Sequence, residues 1–204
     1  MQRRGGACIN ARNLFTDGGF YLIIKLDRNK RKGAAIIKVL VFSDSHRRNL
    51  EMYAAIEREQ PRAVIHCGDC YEDAEELRRA YPNLTVYAVL GNNDWHSGAP
   101  REATIRCAGV PIYFTHGHRE MVSARSPGAV PIHAESAGCQ IALFGHTHRV
   151  YFEQHGSVLV INPGSISLPR SGPATYCRLT LEDGGILDAE ILDTEGEPFQ
   201  PVLL

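Results

Sequence analysis

The sequence holds no apolar run near the ~20 residues that a membrane-crossing helix requires. The longest such stretch close to its start, Phe20 to Ile24, is too short for a signal-peptide core and has no cleavage pattern behind it. An excess of charge of one sign is lacking too. The 22 Lys and Arg against 23 Asp and Glu leave a net charge of −1, without the basic surplus of a nucleic-acid footprint. Cysteine is sparse, and six in 204 residues do not make a disulfide scaffold, because a chain this long buries a core without staples. These absences leave a soluble globular protein, expected in the reducing cytoplasm, with neither a membrane nor a nucleic acid as partner.

The apolar fraction of 44% and the charged fraction of 22% are those of an ordinary globular domain. Histidine departs from average, with nine residues, and 19 Gly and 11 Pro gather at the junctions between apolar runs. Both features fit an enzyme whose loops carry the chemistry.

Residues 1–35 read differently from the rest. Met1 to Asn13 is polar and Gly-rich, and Lys25 to Lys32 packs five Lys or Arg into eight positions. Neither a 3.6- nor a 2-residue period runs through this stretch, so a disordered extension, or one translated from a mis-set start, is expected. Residues 36–204 form the expected domain, with no internal repeat or low-complexity linker. Ile36 to Phe42 is β-branched and nearly all apolar, as a strand buried on both faces should be. Asn49 is placed to cap a helix over Leu50 to Glu59, and Asp73 a second helix to about Tyr81. Strands at Ala63 to Cys67 and Thr85 to Leu90 complete a βαβαβ unit with parallel strands.

After Gly91 the pattern becomes strand-rich. Strands are expected at Ala103 to Cys107, Val110 to Thr115, Ile141 to Phe144, Val150 to Gln154 and Val158 to Asn162. Thr175 to Leu181 and Ile186 to Leu192 follow, joined by the turn Asp183-Gly184-Gly185. One helix interrupts them near Ala129 to Ala137, which requires Pro131 to sit in its first turn. The fold class is therefore α/β, with two packed mixed sheets and helices outside.

The metal-type residues recur where a buried strand gives way to a loop: Ser43-Asp44-Ser45-His46, Gly68-Asp69, Gly91-Asn92-Asn93-Asp94, Thr115-His116-Gly117-His118 and Gly145-His146-Thr147-His148. The carboxyl ends of strands share one edge of an open α/β sheet, so these clusters converge. Carboxylate, imidazole and amide oxygen together suit Mn, Fe, Ni, Co or Zn rather than a thiolate-type structural zinc. Seven candidate ligands exceed one coordination sphere, so two ions are expected.

This series resembles the calcineurin-like metallophosphoesterases, and within them the small bacterial and archaeal phosphodiesterase branch. Asp44-x-His46, Gly68-Asp69, Gly91-Asn92, His116 and Gly145-His146-x-His148 match in order and spacing, and Ile161-Asn162-Pro163-Gly164-Ser165 adds to the likeness. The resemblance covers the chain from about Lys38 onward and implies a four-layer sandwich. It implies that Asp44, His46 and His148 bind one divalent ion, Asn92, His116 and His146 the other, with Asp69 bridging and Mn favoured. The implied activity is phosphodiester hydrolysis of a small-molecule substrate by in-line attack of a metal-activated water, with Asn92 near a phosphate oxygen.

Many relatives carry His directly after the metal-binding Asn, as a proton donor to the leaving group. Asn93 stands there in this chain and has no proton to give near neutral pH. Aryl-type diesters are therefore the expected substrates, with His118 or His96 as substitute acids. His66, His133 and His155 are read as hydrogen-bonded structural residues. Two rival functions stay open: a non-catalytic scaffold, as in a retromer subunit of similar fold, and a redox protein using Cys67 and Cys70. Specificity is expected from the loops Trp95 to Glu102 and Arg119 to Pro131, and the oligomeric state, homo-oligomer included, stays open.

Overall fold

The computed structural model describes residues 14–16, 19–21, 35–95 and 98–199. In the N-terminal stretch, β1 (Leu14–Thr16) and β2 (Gly19–Tyr21) pair with each other, antiparallel. The rest of the expected extension lies outside the described residues.

The βαβαβ unit is present as β3 (Ile37–Phe42), α1 (Leu50–Glu59), β4 (Ala63–His66), α2 (Tyr71–Ala80) and β5 (Thr85–Ala88). These three strands run parallel, and β11 (Thr175–Glu182) and β12 (Gly185–Asp193) extend their sheet antiparallel, in the order β12-β11-β3-β4-β5. The second sheet, ordered β6-β7-β8-β10-β9, consists of β6 (Glu102–Cys107), β7 (Val110–Thr115), β8 (Ile141–Leu143), β9 (Val150–His155) and β10 (Val158–Pro163). It is also mixed: β7, β8 and β10 are parallel, while β6 and β9 are antiparallel edges. Helix α3 (Val130–Ser136) lies between β7 and β8 in the chain, and Pro131 is its second residue, where a missing N–H costs nothing.

The alternation of side chains along β3 shows how the layers stack. Val39 and Val41 point into a core shared with Ile112, Phe114, Leu143 and Ile161 of the second sheet. Leu40 and Phe42 point the other way, onto Met52 and Ile56 of α1 and Leu77 of α2. On the far side of the second sheet, Tyr113, Ala142 and Val160 meet Val130 and Ala134 of α3. The order is helices, sheet, sheet, helix. Strands β4, β7, β8 and β10 are buried along their whole length, which is why they read as near-continuous apolar runs, whereas the edge strand β5 begins at the exposed Thr85.

Strand ends differ from the sequence expectation by one or two residues, but both expected helix caps are corrected. Asn49 precedes α1 in a helical conformation and makes no side-chain cap; its amide donates to Glu76 instead. Helix α2 starts at Tyr71, two residues before Asp73, so Asp73 falls inside the first turn. Its buried carboxylate accepts the Arg47 N–H at 2.9 Å, which ties the loop after β3 to α2. Among the described residues no helix is long and apolar enough to cross a membrane.

Candidate metal centre

All five clusters sit at carboxyl ends of strands, and they come from both sheets. Asp44 and His46 follow β3, Asp69 follows β4 and Asn92 follows β5; His116 follows β7, and His146 and His148 follow β8. The seven candidate ligands therefore meet where the edges of the two sheets face each other.

They separate into two sets around Asp69. In the first, His148 Nε2 lies 3.3 Å from Asp44 Oδ1 and 3.3 Å from His46 Nε2, and His46 Nε2 lies 3.9 Å from Asp69 Oδ2. In the second, Asn92 Oδ1 lies 3.1 Å from His116 Nε2 and 2.8 Å from His146 Nδ1, and His116 Nε2 lies 3.5 Å from Asp69 Oδ1. One oxygen of Asp69 thus faces each set. Two imidazoles are aimed by their other nitrogen: His116 Nδ1 donates to the Cys67 carbonyl at 2.8 Å and His148 Nδ1 to the Leu168 carbonyl at 2.7 Å. That arrangement fixes the tautomer and leaves Nε2 free to ligate.

Five of the seven hold positive φ: Asp44 (56°), His46 (46°), Asp69 (48°), His146 (68°) and His148 (56°). Such angles are uncommon outside glycine, cost about 1–3 kcal/mol each and persist only where neighbours enforce them. The enforcement is visible: Asp44 N–H donates to Gly68 O at 3.0 Å, His46 N–H to Asp69 O at 3.2 Å and His146 N–H to Asp44 Oδ2 at 3.1 Å. The glycines at Gly91 and Gly145 are explained by close approach. A Cβ on Gly91 would stand 1.9 Å from Asp69 Oδ1, and one on Gly145 1.8 Å from Ser43 Oγ.

The donor set fits divalent cations on chemical grounds. Asp44 is fully buried, and its Oδ1 makes no hydrogen bond although it points among the donors. Burial, with the Asp69 charge adding to it, raises the Asp44 carboxyl well above the usual range despite bonds from Ser43 and His146. A cation at that oxygen would remove the penalty. Burial also lowers His116, His146 and His148, which favours the neutral, ligating imidazole. Asp69 shifts the other way: burial opposes its charge, but His116, Asn93 and His46 outweigh burial and lower it.

Of the residues that brace the site, Asp94, Ser167 and Arg170 carried no assigned role in the sequence, whereas the Asn162–Ser165 stretch was expected to support it. Asp94 is the foremost: its carboxylate accepts the N–H groups of Asp69 (3.1 Å), Gly91 (2.7 Å) and Tyr71 (2.8 Å), joining the loops after β4 and β5 to the start of α2. Its signal was its place in the Gly91–Asp94 cluster. Ser165 and Ser167 donate to the Asp44 carbonyl at 2.8 and 3.1 Å, and Asn162 to the Gly145 carbonyl at 2.7 Å, so the Asn162–Ser165 stretch braces both ligand loops. Arg170 is exposed, its charge acts on Asp44, His146 and His148, and its N–H donates to the His148 carbonyl at 3.0 Å.

The residues weighed as proton donors are placed unevenly. Asn93 is exposed but tied to Asp69, with its N–H on Asp69 Oδ1 at 2.9 Å and its amide on Asp69 Oδ2. The His118 ring stands 5.4 Å from His116 and 6.2 Å from His146, with Nδ1 buried and unpaired, and burial lowers its pKa. His96 lies outside the described residues. His66, His133 and His155 all have partners; His66 is pushed by burial to about 3, accepts the Gly68 N–H at Nδ1 and so donates from Nε2 to Ser45 Oγ. Burial raises the Cys67 thiol strongly and, together with Glu72, lifts Cys70 to about 11, which leaves neither as a reactive thiolate.

The calcineurin-like phosphoesterase superfamily domain matches residues 37–184, a span that contains every candidate ligand. A probable metallophosphoesterase of Bacillus subtilis is 35% identical over 151 residues, covering 72% of this chain and 86% of its own length. A phosphodiesterase of Methanocaldococcus jannaschii is 28% identical over 190 residues, covering 82% of this chain and 99% of its own. The crystal structure of a predicted phosphoesterase from Streptococcus pneumoniae superposes with a TM-score of 0.66 at 28% identity, covering 81% of this chain and 94% of that one. With the fold, the ordered ligand loops and these likenesses in agreement, the chain belongs to the calcineurin-like phosphoesterase superfamily.

Proposed function

We propose that this protein is a metal-dependent phosphodiesterase working with two divalent ions, Mn favoured and Fe, Ni, Co or Zn compatible. The observation that carries the reading is Asp69, whose two oxygens face two separate donor sets at 3.9 and 3.5 Å from the nearest imidazole nitrogens. Asp44, His46 and His148 would hold one ion, and Asn92, His116 and His146 the other. When bound, such a pair supplies an activated water and a clamp on the phosphoryl oxygens for in-line displacement.

The chain's own groups then set the substrate. Asn92 offers its amide, and Arg170 a positive charge, beside a phosphoryl group at the seam. Asn93 is engaged with Asp69 and offers no acid, while burial disfavours a protonated His118. Leaving groups that depart without a proton, such as aryl oxides, are therefore favoured. Trp95, 94% exposed directly after Asp94, gives the rim an aromatic face that suits a small organic diester. A cytoplasmic setting agrees with Cys67, Cys70, Cys107, Cys139 and Cys177, all free thiols. A scaffold would have no use for a complete donor set held in strained backbone, and the raised thiols speak against redox chemistry.

The test replaces Asp69 by Asn. Because loss of an outer partner of a metal ligand already costs ~10–100-fold, loss of the bridge should cut aryl diester hydrolysis by more than ~100-fold. Elemental analysis under excess Mn should show two fewer equivalents than wild type. Near-normal turnover, or a difference of one equivalent, would sink the bridging role.

A further inference from the structure

Outside the seam, three side chains from separate elements meet: Glu102 at the start of β6, Glu120 in the loop after β7 and His133 in α3. One ligating atom from each lies within 4.8 Å of the other two. Glu120 is 7% exposed and its Oε2 is buried with no hydrogen-bond partner. The Tyr113 hydroxyl lies in the same group, but its one proton goes to Glu102 Oε2, and its oxygen stands 3.3 Å from His133 Nδ1. Tyr113 therefore has no donor left for Glu120. Among the described residues the only ion pair made by either carboxylate is that of Glu102 with His133, at 3.9 Å.

Two carboxylates this close repel each other, and a buried, unpaired carboxylate oxygen is costly. A single cation between them resolves both problems, and the imidazole selects its kind: mixed carboxylate and imidazole donors suit Zn and its neighbours rather than Mg or Ca. Access is open, since the Glu102 and His133 side chains are 57% and 47% exposed while Glu120 supplies the floor. We infer that Glu102, Glu120 and His133 form a third, separate divalent-cation site of the Zn class, which clamps the loop after β7 against α3 and β6. The Glu120 carbonyl already accepts the Ala129 N–H at 2.9 Å just before α3, so a bound ion reinforces an existing tie. The same loop carries His116 and His118, which places the clamp two residues from the seam.

The experiment is equilibrium dialysis of the full chain against Zn²⁺, counted by elemental analysis, for wild type, Glu120→Gln, His133→Ala and Asp69→Asn. Glu120→Gln and His133→Ala should each hold one equivalent fewer than wild type, and Asp69→Asn should keep that equivalent while losing those of the seam. His133 is half-exposed, so its variant keeps the test sound if Glu120→Gln fails to fold. Equal Zn²⁺ content in wild type and His133→Ala overturns the site. Loss of all bound Zn²⁺ from Asp69→Asn assigns every equivalent to the seam and overturns it equally.

Discussion

Asn93 donates to Asp69 twice, once from the backbone and once from the side chain, and only the second bond depends on the residue type. Asn93→His therefore removes one donor from the Asp69 carboxylate while the backbone bond at 2.9 Å remains. An imidazole there supplies the proton that an alkoxide needs on departure and an aryl oxide does not. General acid catalysis is typically worth ~10²–10⁴-fold, so alkyl diester turnover should rise at least ~10-fold, with aryl diester turnover within about twofold. Steady-state kinetics at matched metal occupancy checks this, and an equal gain on both substrates would show that the effect runs through Asp69 and not through proton donation. The convergence of the seven candidate ligands was legible because each follows an apolar strand in a Gly-, Ser- or Thr-flanked cluster. The tie of Asn93 to Asp69 and the triple acceptance by Asp94 were not, since a side chain's direction in a loop depends on loops distant in sequence.

At the scale of elements, Glu59 shows how a charge holds a helix to a sheet. It ends α1, is buried, and receives Lys38 Nζ of β3 at 2.9 Å and Arg178 Nη1 of β11 at 2.9 and 3.0 Å. Lys38 Nζ also donates to the Glu59 carbonyl at 3.0 Å, so a cation meets the negative end of the helix. Burial opposes the Glu59 charge, but the Lys38 and Arg178 bonds outweigh burial and lower its pKa. A lowered folded pKa means that the stabilisation is fully present above the unfolded value of about 4.3 and is lost as pH falls through the folded one. Glu59→Gln should thus cost about 2 kcal/mol at neutral pH, moderated because Arg178 keeps Glu190. Urea unfolding should show that difference shrinking below pH ~4, and a pH-independent difference would assign the cost to packing alone. The strands were legible because β3, β4 and β7 are apolar on both faces. The start of α1 at Leu50 was legible too, but the helix caps were not, because Asn49 and Asp73 had tertiary partners in Glu76 and Arg47 that outcompeted local capping.

From residue 35 onward the described residues form two sheets whose candidate ligand loops interlock at one edge. The first sheet gives Asp44, His46, Asp69 and Asn92, and the second gives His116, His146 and His148. Direct bonds across the seam include His146 N–H to Asp44 Oδ2 at 3.1 Å and His116 Nδ1 to Cys67 O at 2.8 Å. Ions bound by both sheets would add a cross-link that unfolding must break, so metal affinity should appear as stability. At a free concentration 100 times the dissociation constant, linkage gives about 2.7 kcal/mol for each ion. For a domain of this size that corresponds to a rise of roughly 5–10 °C in the unfolding midpoint per bound ion. The measurement compares thermal unfolding with Mn²⁺ and with chelator, in a His133→Ala background so that the peripheral site does not contribute. Asp69→Asn in the same background should lose most of the rise, because its two oxygens face donor sets from both sheets. If Asp69→Asn keeps the full rise, each donor set holds its ion and links the sheets without Asp69, and the bridging role is overturned.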